Sequence, residues 1–495
     1  MTEVTDANSP NSPRRVVIDP VTRVEGHGKV VLMLDQQNQV QQARFHIVEF
    51  RGFEKFIQGR PYWELPMVVQ RLCGICPVSH QLAAGKAIDQ LVGAATLTPS
   101  AEKLRRLLHF GQVLQSHALH FFHLASPDLL FGFNSPVEKR NIFAVLEEYP
   151  DFAMKGVKMR RFGQEVIKAV TGKKIHGLAV VPGGMNKHID PAEIADLTAQ
   201  VTEVISWSQE VVNVARDLYL ANADYHDHFA QITSPFMGLV DADGGLELYD
   251  GNLRVKEPDG QLFVDQFDPN DYTQLIREQV KSWSYMKFPY LIDKGHDNGW
   301  YRVGPLARIN TCDRINTPLA ELERQRFLLG YDSPRQSPLA YHWARMIELL
   351  HCAEAIAELL PDNDLQRGEL TVSGTPQQEG IGVIEAPRGT LFHHYKIDDQ
   401  GLVTQANLIV STTSNNQAMN ESIRQVAADQ LDGQEMTPEL LNQVEVAIRA
   451  YDPCLSCATH AVGSMPLRVE IEDAAGQSLA SVSRDSSGNI KTTRQ

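Results

Sequence analysis

The chain has 495 residues, 46 Lys and Arg against 61 Asp and Glu, and 43% hydrophobic residues, which excludes disordered and low-complexity classes and allows a sizeable core. A net charge of −15 argues against nucleic acid or an anionic membrane as partner, since both attract basic surfaces. No run approaches the roughly 18 apolar residues of a membrane span, and six cysteines are too sparse for a disulfide scaffold, so a cytoplasmic, reducing location is expected.

Residues 1–15, polar and rich in Pro and Ser, read as a flexible lead and not a signal peptide, because no apolar core follows Arg14 and Arg15. Segments 15–20, 28–35 and 42–50, with a turn at Asp35 to Asn38, predict a small N-terminal sheet. From Trp63 the pattern turns helical, breaks at Cys73 to Cys76, and resumes at Pro77, a residue suited to the first helical position. Thr98 and Pro99 open a segment whose apolar residues cover most of its circumference, so that helix is expected to be buried. Asp190, Pro191 and Glu193 start another long helix, and residues 338–360 form a further one. Between them, 230–335 is rich in Gly, Asp and Pro and reads as an irregular elaboration. A hairpin around Asp398 to Gly401 and a helix opened by Thr437 and Pro438 precede the last cysteines. Helices of this length predict a predominantly helical α+β fold, a long-helix bundle with small peripheral β-sheets, in which the cysteine pairs meet.

Four of the six cysteines form two Cys-x-x-Cys pairs, Cys73 with Cys76 and Cys454 with Cys457. Two intervening residues let both sulfurs face one ion, and four thiolates suit zinc, iron, nickel or an iron-sulfur cluster. Zinc ribbons close loops of ~15 to 20 residues, whereas 377 residues separate Cys76 from Cys454. A shared metal tying the two ends of the fold is therefore favoured over separate redox or zinc sites and over coincidental core thiols. Arg71, two residues before Cys73, is expected to favour thiolate, and Gly74 removes a side chain where metal and backbone approach. Cys312 and Cys352 read as buried core thiols.

Arg71 to Cys76 (RLCGIC) with Asp452 to His460 (DPCLSCATH) resembles the paired signature of nickel-iron hydrogenase large subunits. The likeness runs from Val16 to Pro466, through IDPVTRVEGHGKV, FRGFEKF, WSYMKFPY, RVGPL and EAPRG, and its wording is most similar to the cytoplasmic bidirectional, NAD-linked type. The resemblance implies that Cys73 and Cys454 are terminal nickel ligands, that Cys76 and Cys457 bridge nickel and iron, and that the iron carries carbon monoxide and cyanide. The implied reaction is heterolytic splitting of dihydrogen into hydride and proton, with a terminal sulfur such as Cys454 taking the proton. Glu25 in RVEGH corresponds to a proton-relay glutamate. Arg388 in EAPRG matches an arginine over the open metal position, where positioning and electrostatic assistance precede base chemistry. Glu54, the backbone carbonyl of Leu408 and His460 match a magnesium site, although histidine is an unusual donor for that ion. His80 fits a partner of a bridging sulfur, and Asp452 an acid over the metals. Many relatives carry an aspartate where Ser116 stands here, beside His117, so the acidic canopy is expected to rest on Asp452 alone.

Relatives are made as precursors, which implies a catalytic domain at 16–460 and an extension at 461–495, removed by a maturation endopeptidase after metal-insertion factors have acted. The alternative for that tail is a terminal hairpin built from RVEIED and SLASVS. Two spare cysteines cannot hold a cluster of the usual kind, so a separate iron-sulfur small subunit is required. The NAD-linked type adds a flavin-containing diaphorase, and no Gly-rich dinucleotide fingerprint occurs in this chain. Two rival readings keep the sequence and change the chemistry: a complex I-like electron-transfer or structural subunit, and a thiolate metal-binding scaffold.

Overall fold

A computed structural model of the protein describes residues 4–5, 14–37, 39–431 and 437–459, together with the backbone of three strands at 467–472, 478–484 and 490–494. Six long helices carry the fold: α1 (Pro77–Leu91), α2 (Pro99–Leu119), α3 (Pro150–Thr171), α4 (Pro191–Leu220), α5 (Ala340–Leu359) and α6 (Asn416–Leu431). The first four begin with proline, whose missing N–H would be unpaired at that position in any residue. Thr98 Oγ1 caps α2 by accepting from Ala101 N at 3.2 Å, and Asp190 Oδ1 caps α4 by accepting from Ala192 N at 2.8 Å.

Helix α2 is the axis of the core. Every residue from Leu107 to Ala118 is buried, as expected for a helix apolar around most of its circumference. It packs along α3 on one side and α5 on another, and α5 also packs on α4. The contact with α3 is very close: a Cβ on Gly163 would lie 2.6 Å from the Gly111 carbonyl oxygen. Past Leu119 the helix widens into a π-type turn, His120–Ala125, a distortion found frequently at functional sites.

The sheets are small, antiparallel and peripheral. The N-terminal one orders Val4–Thr5, Arg14–Ile18, Gly28–Leu34 and Val40–Ile47, so part of the expected lead pairs as a strand. A second joins Glu379–Ala386, Gly389–Ile397 and Val403–Ile409 and lies against α1. The 230–335 interval is more regular than its composition implied. It holds a three-stranded sheet (Phe236–Val240, Asn252–Lys256, Leu262–Phe267), a strand pair and four short helices. The strands there are short and join through Gly and Asp turns, so turn chemistry dominated the pattern. After 466 the backbone forms three antiparallel strands, one more than the two-segment hairpin alternative.

Candidate metal centre

Cys73 ends a helical stretch (Val69–Leu72) in extended conformation, and Cys76 is the residue immediately before α1. Cys454 and Cys457 flank a short turn after the helix Pro438–Ala450. The fold brings both pairs together: the four Sγ atoms lie within 4.8 Å of one another and all four residues are buried. Cys73 faces Cys454 at 3.3 Å, Cys76 faces Cys457 at 3.7 Å, and Cys454 and Cys457 are 3.0 Å apart. Cys73 Sγ also accepts from the amides of Ile75 and Cys76, each at 3.2 Å. Burial alone would raise the Cys73 thiol, but sulfur contacts and the Arg388 charge outweigh it and hold Cys73 well below the usual thiol range. Burial holds Cys454 and Cys457 well above that range. Four such thiols cannot all ionise in a dry interior without a cation among them, and soft thiolates match redox metals.

Glu25 is delivered to the sulfurs by backbone contact. Leu455 N donates to the Glu25 carbonyl at 3.0 Å, and Glu25 bridges to Cys454 as an isolated parallel pair. Gly26 makes this possible: at φ +84° any Cβ there would lie 2.9 Å from Ser456 N. The Glu25 carboxylate accepts from Cys454 Sγ at 3.0 Å, from Ser456 N at 3.2 Å, and from the Ser456 hydroxyl. Ser456 was not singled out from the sequence; its place inside the second cysteine pair was the available signal.

Arg388 grips Asp452 twice, Nε to the backbone carbonyl at 2.6 Å and Nη2 to Oδ1 at 3.0 Å. Its Nη1 reaches Ser116 Oγ at 3.4 Å, so among the described residues Asp452 is the one acid bonded to it. Asp452 adopts φ 54°, a left-handed conformation that Asp tolerates better than most residues, and burial raises its carboxyl. Its Oδ2 is buried and has no hydrogen-bond partner among the described residues. His117 turns away from this site and bonds Glu348 Oε2 at 2.9 Å.

His80 stands in the first turns of α1, and burial lowers its imidazole to about 4. It lines a small pocket with Cys76, Cys457, Arg388 and the apolar Pro387 and Val410. Arg71 does not act as expected. It is exposed and directed to His176 Nδ1 at 2.8 Å, and the guanidinium that acts on Cys73 belongs to Arg388. The 3₁₀-like turn before Cys73 points the Arg71 side chain outward.

The second expected site is partly assembled. Leu408 N donates to Glu54 Oε1 at 3.0 Å, and Lys287 Nζ lies 3.7 Å from the same oxygen. Burial raises the Glu54 carboxyl. His460 and the junction to 461 lie outside the described residues. Cys312 and Cys352 are buried away from the tetrad; burial pushes Cys312 up to about 12 and Cys352 well above the usual range.

A buried thiolate tetrad overlooked by a carboxylate and a clamped guanidinium, at the axis of a helical α+β fold, defines a redox metalloenzyme subunit. Residues 15–50 match a family described as HoxL-like, and residues 51–131 and 249–460 match the nickel-dependent hydrogenase family. The chain belongs to the nickel-dependent hydrogenase large-subunit family and is a catalytic subunit that cleaves dihydrogen. It is 48% identical to the NAD-reducing hydrogenase HoxS subunit beta of Cupriavidus necator, over 94% of this chain and 98% of that protein. Sulfhydrogenase 2 subunit alpha of Pyrococcus furiosus is 29% identical over 90% of this chain and 99% of its own. A solved NAD+-reducing [NiFe]-hydrogenase in the H2-reduced state superposes with a TM-score of 0.89 at 55% identity, covering 91% of this chain and all of that one. No helix among the described residues is long and apolar enough to cross a membrane.

Proposed function

We propose that Cys73 and Cys454 bind nickel terminally, that Cys76 and Cys457 lie between nickel and iron, and that the pocket beside them receives carbon monoxide and cyanide on the iron. The observation that carries this reading is the gathering of four buried sulfurs within 4.8 Å, with a carboxylate hydrogen-bonded to one of them. The pocket supports the diatomic ligands by chemistry: apolar walls at Ala386, Pro387, Leu391 and Val410, with the Ser411 and Thr412 side chains and Arg388 as polar groups.

When bound, the nickel-iron centre supplies a redox-active, Lewis-acidic pair that polarises dihydrogen and takes up its electrons. The chain handles the proton. Cys454 Sγ accepts it and passes it to Glu25 Oε2, 3.0 Å away, while the Ser456 amide and hydroxyl hold that carboxylate in line. Arg388, held by Asp452, keeps a fixed positive charge beside the sulfurs. Glu54, the Leu408 carbonyl and His460 hold magnesium. Support for this comes from the partly buried Glu54 carboxylate seated on the Leu408 amide.

Electrons leave through an iron-sulfur small subunit and pass on to NAD by a diaphorase module in the cytoplasm; the NAD-reducing relatives support NAD as the acceptor. The small subunit docks beside the first cysteine pair. Val48, Phe50, Phe56, Trp63 and Met67 are exposed within the one short stretch of sequence that leads into that pair, and Gly74 is open with nothing within 4 Å of where its Cβ would be. Catalysis belongs to residues 16–460, and 461–495 is removed in maturation; the family match ends at residue 460. Metal analysis combined with intact mass tests the reading. About one nickel and one iron per chain, on a chain shortened to 460, is the expected result, and zinc alone would overturn it.

A further inference from the structure

Behind the tetrad, three side chains form a file leading away from the sulfurs. His80 Nδ1 lies 3.1 Å from His393 Nε2, and His393 Nδ1 lies 2.5 Å from the Tyr395 hydroxyl. None of the three is more than 1% exposed. Tyr395 is packed among Ile57, Leu65, Val69 and Leu72, in an apolar cluster separate from the main core. His393 is the one hydrogen-bond partner of its hydroxyl among the described residues.

That isolation gives the file a direction. A phenol has a single proton, and leaving a buried donor unpaired costs about 1–3 kcal/mol, so Tyr395 donates to His393 Nδ1. Neutral His393 then carries its own proton on Nε2, where it donates to His80 Nδ1. With Nδ1 occupied as an acceptor, His80 holds its proton on Nε2. Its ring borders the pocket shared with Cys76 and Cys457.

We propose that Tyr395 and His393 are positioning residues that lock His80 as an N–H donor toward the bridging sulfurs. The proposal rests on Cys76 and Cys457 being metal ligands and goes beyond that reading by naming what tunes them. A hydrogen bond into a thiolate draws electron density from the sulfur, and so from the metals it binds. Reversed, the file would turn a lone pair toward the sulfur and leave the thiolate electron-rich.

Two measurements test this with Tyr395→Phe, which keeps the ring and removes only the hydroxyl. Nitrogen NMR of histidine-labelled protein, with His80 identified by its loss in His80→Gln, reads the tautomer directly and needs no metal. Wild type is expected to show His80 protonated on Nε2, and Tyr395→Phe a shift of population to Nδ1. In loaded enzyme of unchanged nickel and iron content, the carbon monoxide and cyanide infrared bands are expected to move to lower wavenumber in the variant. His80 protonated on Nδ1 in wild type, or identical tautomers and bands in both proteins, would overturn the proposal. Wild type with the expected tautomer and no such bands would instead sink the metal assignment.

Discussion

Cys454 and Glu25 meet because a glycine lets two strands of chain touch, and the 3.0 Å contact between sulfur and carboxylate is the shortest described way off the tetrad for a proton. Replacing Glu25 by Gln preserves shape and keeps an acceptor oxygen for Ser456, yet removes the group that can both take and give a proton. Turnover is expected to fall by about 10²- to 10⁴-fold while nickel and iron stay bound; unchanged turnover with intact metals would refute the relay. The four clustered cysteines were legible in the sequence because a two-residue spacing has few other uses. Glu25, Arg388 and Asp452 were legible only through their motifs. Ser456, His393 and Tyr395 were not, because a hydroxyl or an imidazole in a buried turn or strand looks the same in sequence whether it faces a sulfur or a neighbouring side chain.

Among the elements, α2 and α3 pack too closely for a Cβ at Gly111 or Gly163. Gly163→Ala would place a methyl 2.6 Å from a backbone oxygen that cannot move without shifting α2. A loss of about 1–3 kcal/mol is expected, read as a lower Tm in thermal unfolding, and an unchanged Tm would show that the helices separate freely. Helix α3 itself is hard to see in the sequence although Pro150 and Gly172 mark both its ends. Its buried stripe opens on small residues, Ala153 and Gly156, which carry little apolar signal. The strand Glu379–Ala386 is hidden for the opposite reason: it is buried at nearly every position, so alternation, the usual strand signal, is missing. Helices α1, α2 and α4 and the N-terminal sheet, by contrast, carry prolines, caps and turns that act locally and read directly.

At the scale of the molecule, the interior holds several histidines as neutral bases. Burial lowers His109, His117 and His351 to about 4, against an ordinary value near 6.5. Between those values the unfolded chain binds protons that the folded chain refuses, so stability is full above pH 6.5 and declines toward pH 4. Each tenfold loss of proton affinity on folding is worth about 1.4 kcal/mol. Chemical denaturation at pH 5 should therefore show a loss of several kcal/mol relative to pH 7, and equal midpoints would contradict the neutral assignment. The outer surface makes a separate prediction. Phe56→Asp with Trp63→Asp should abolish co-purification of the iron-sulfur subunit while leaving nickel and iron in place, and retained co-purification would move the docking face elsewhere.

The tetrad joins residues 381 positions apart, Cys73 to Cys454 and Cys76 to Cys457. In a disordered chain, closing a loop of that length carries an entropy penalty of about 5 kcal/mol, before any sulfur is oriented. An unfolded chain therefore offers a metal two separate dithiols, and a half-synthesised one offers only Cys73 and Cys76. Packing around α2 offsets that cost within the folded protein, so a metal held by all four sulfurs reports that both ends of the molecule have found each other.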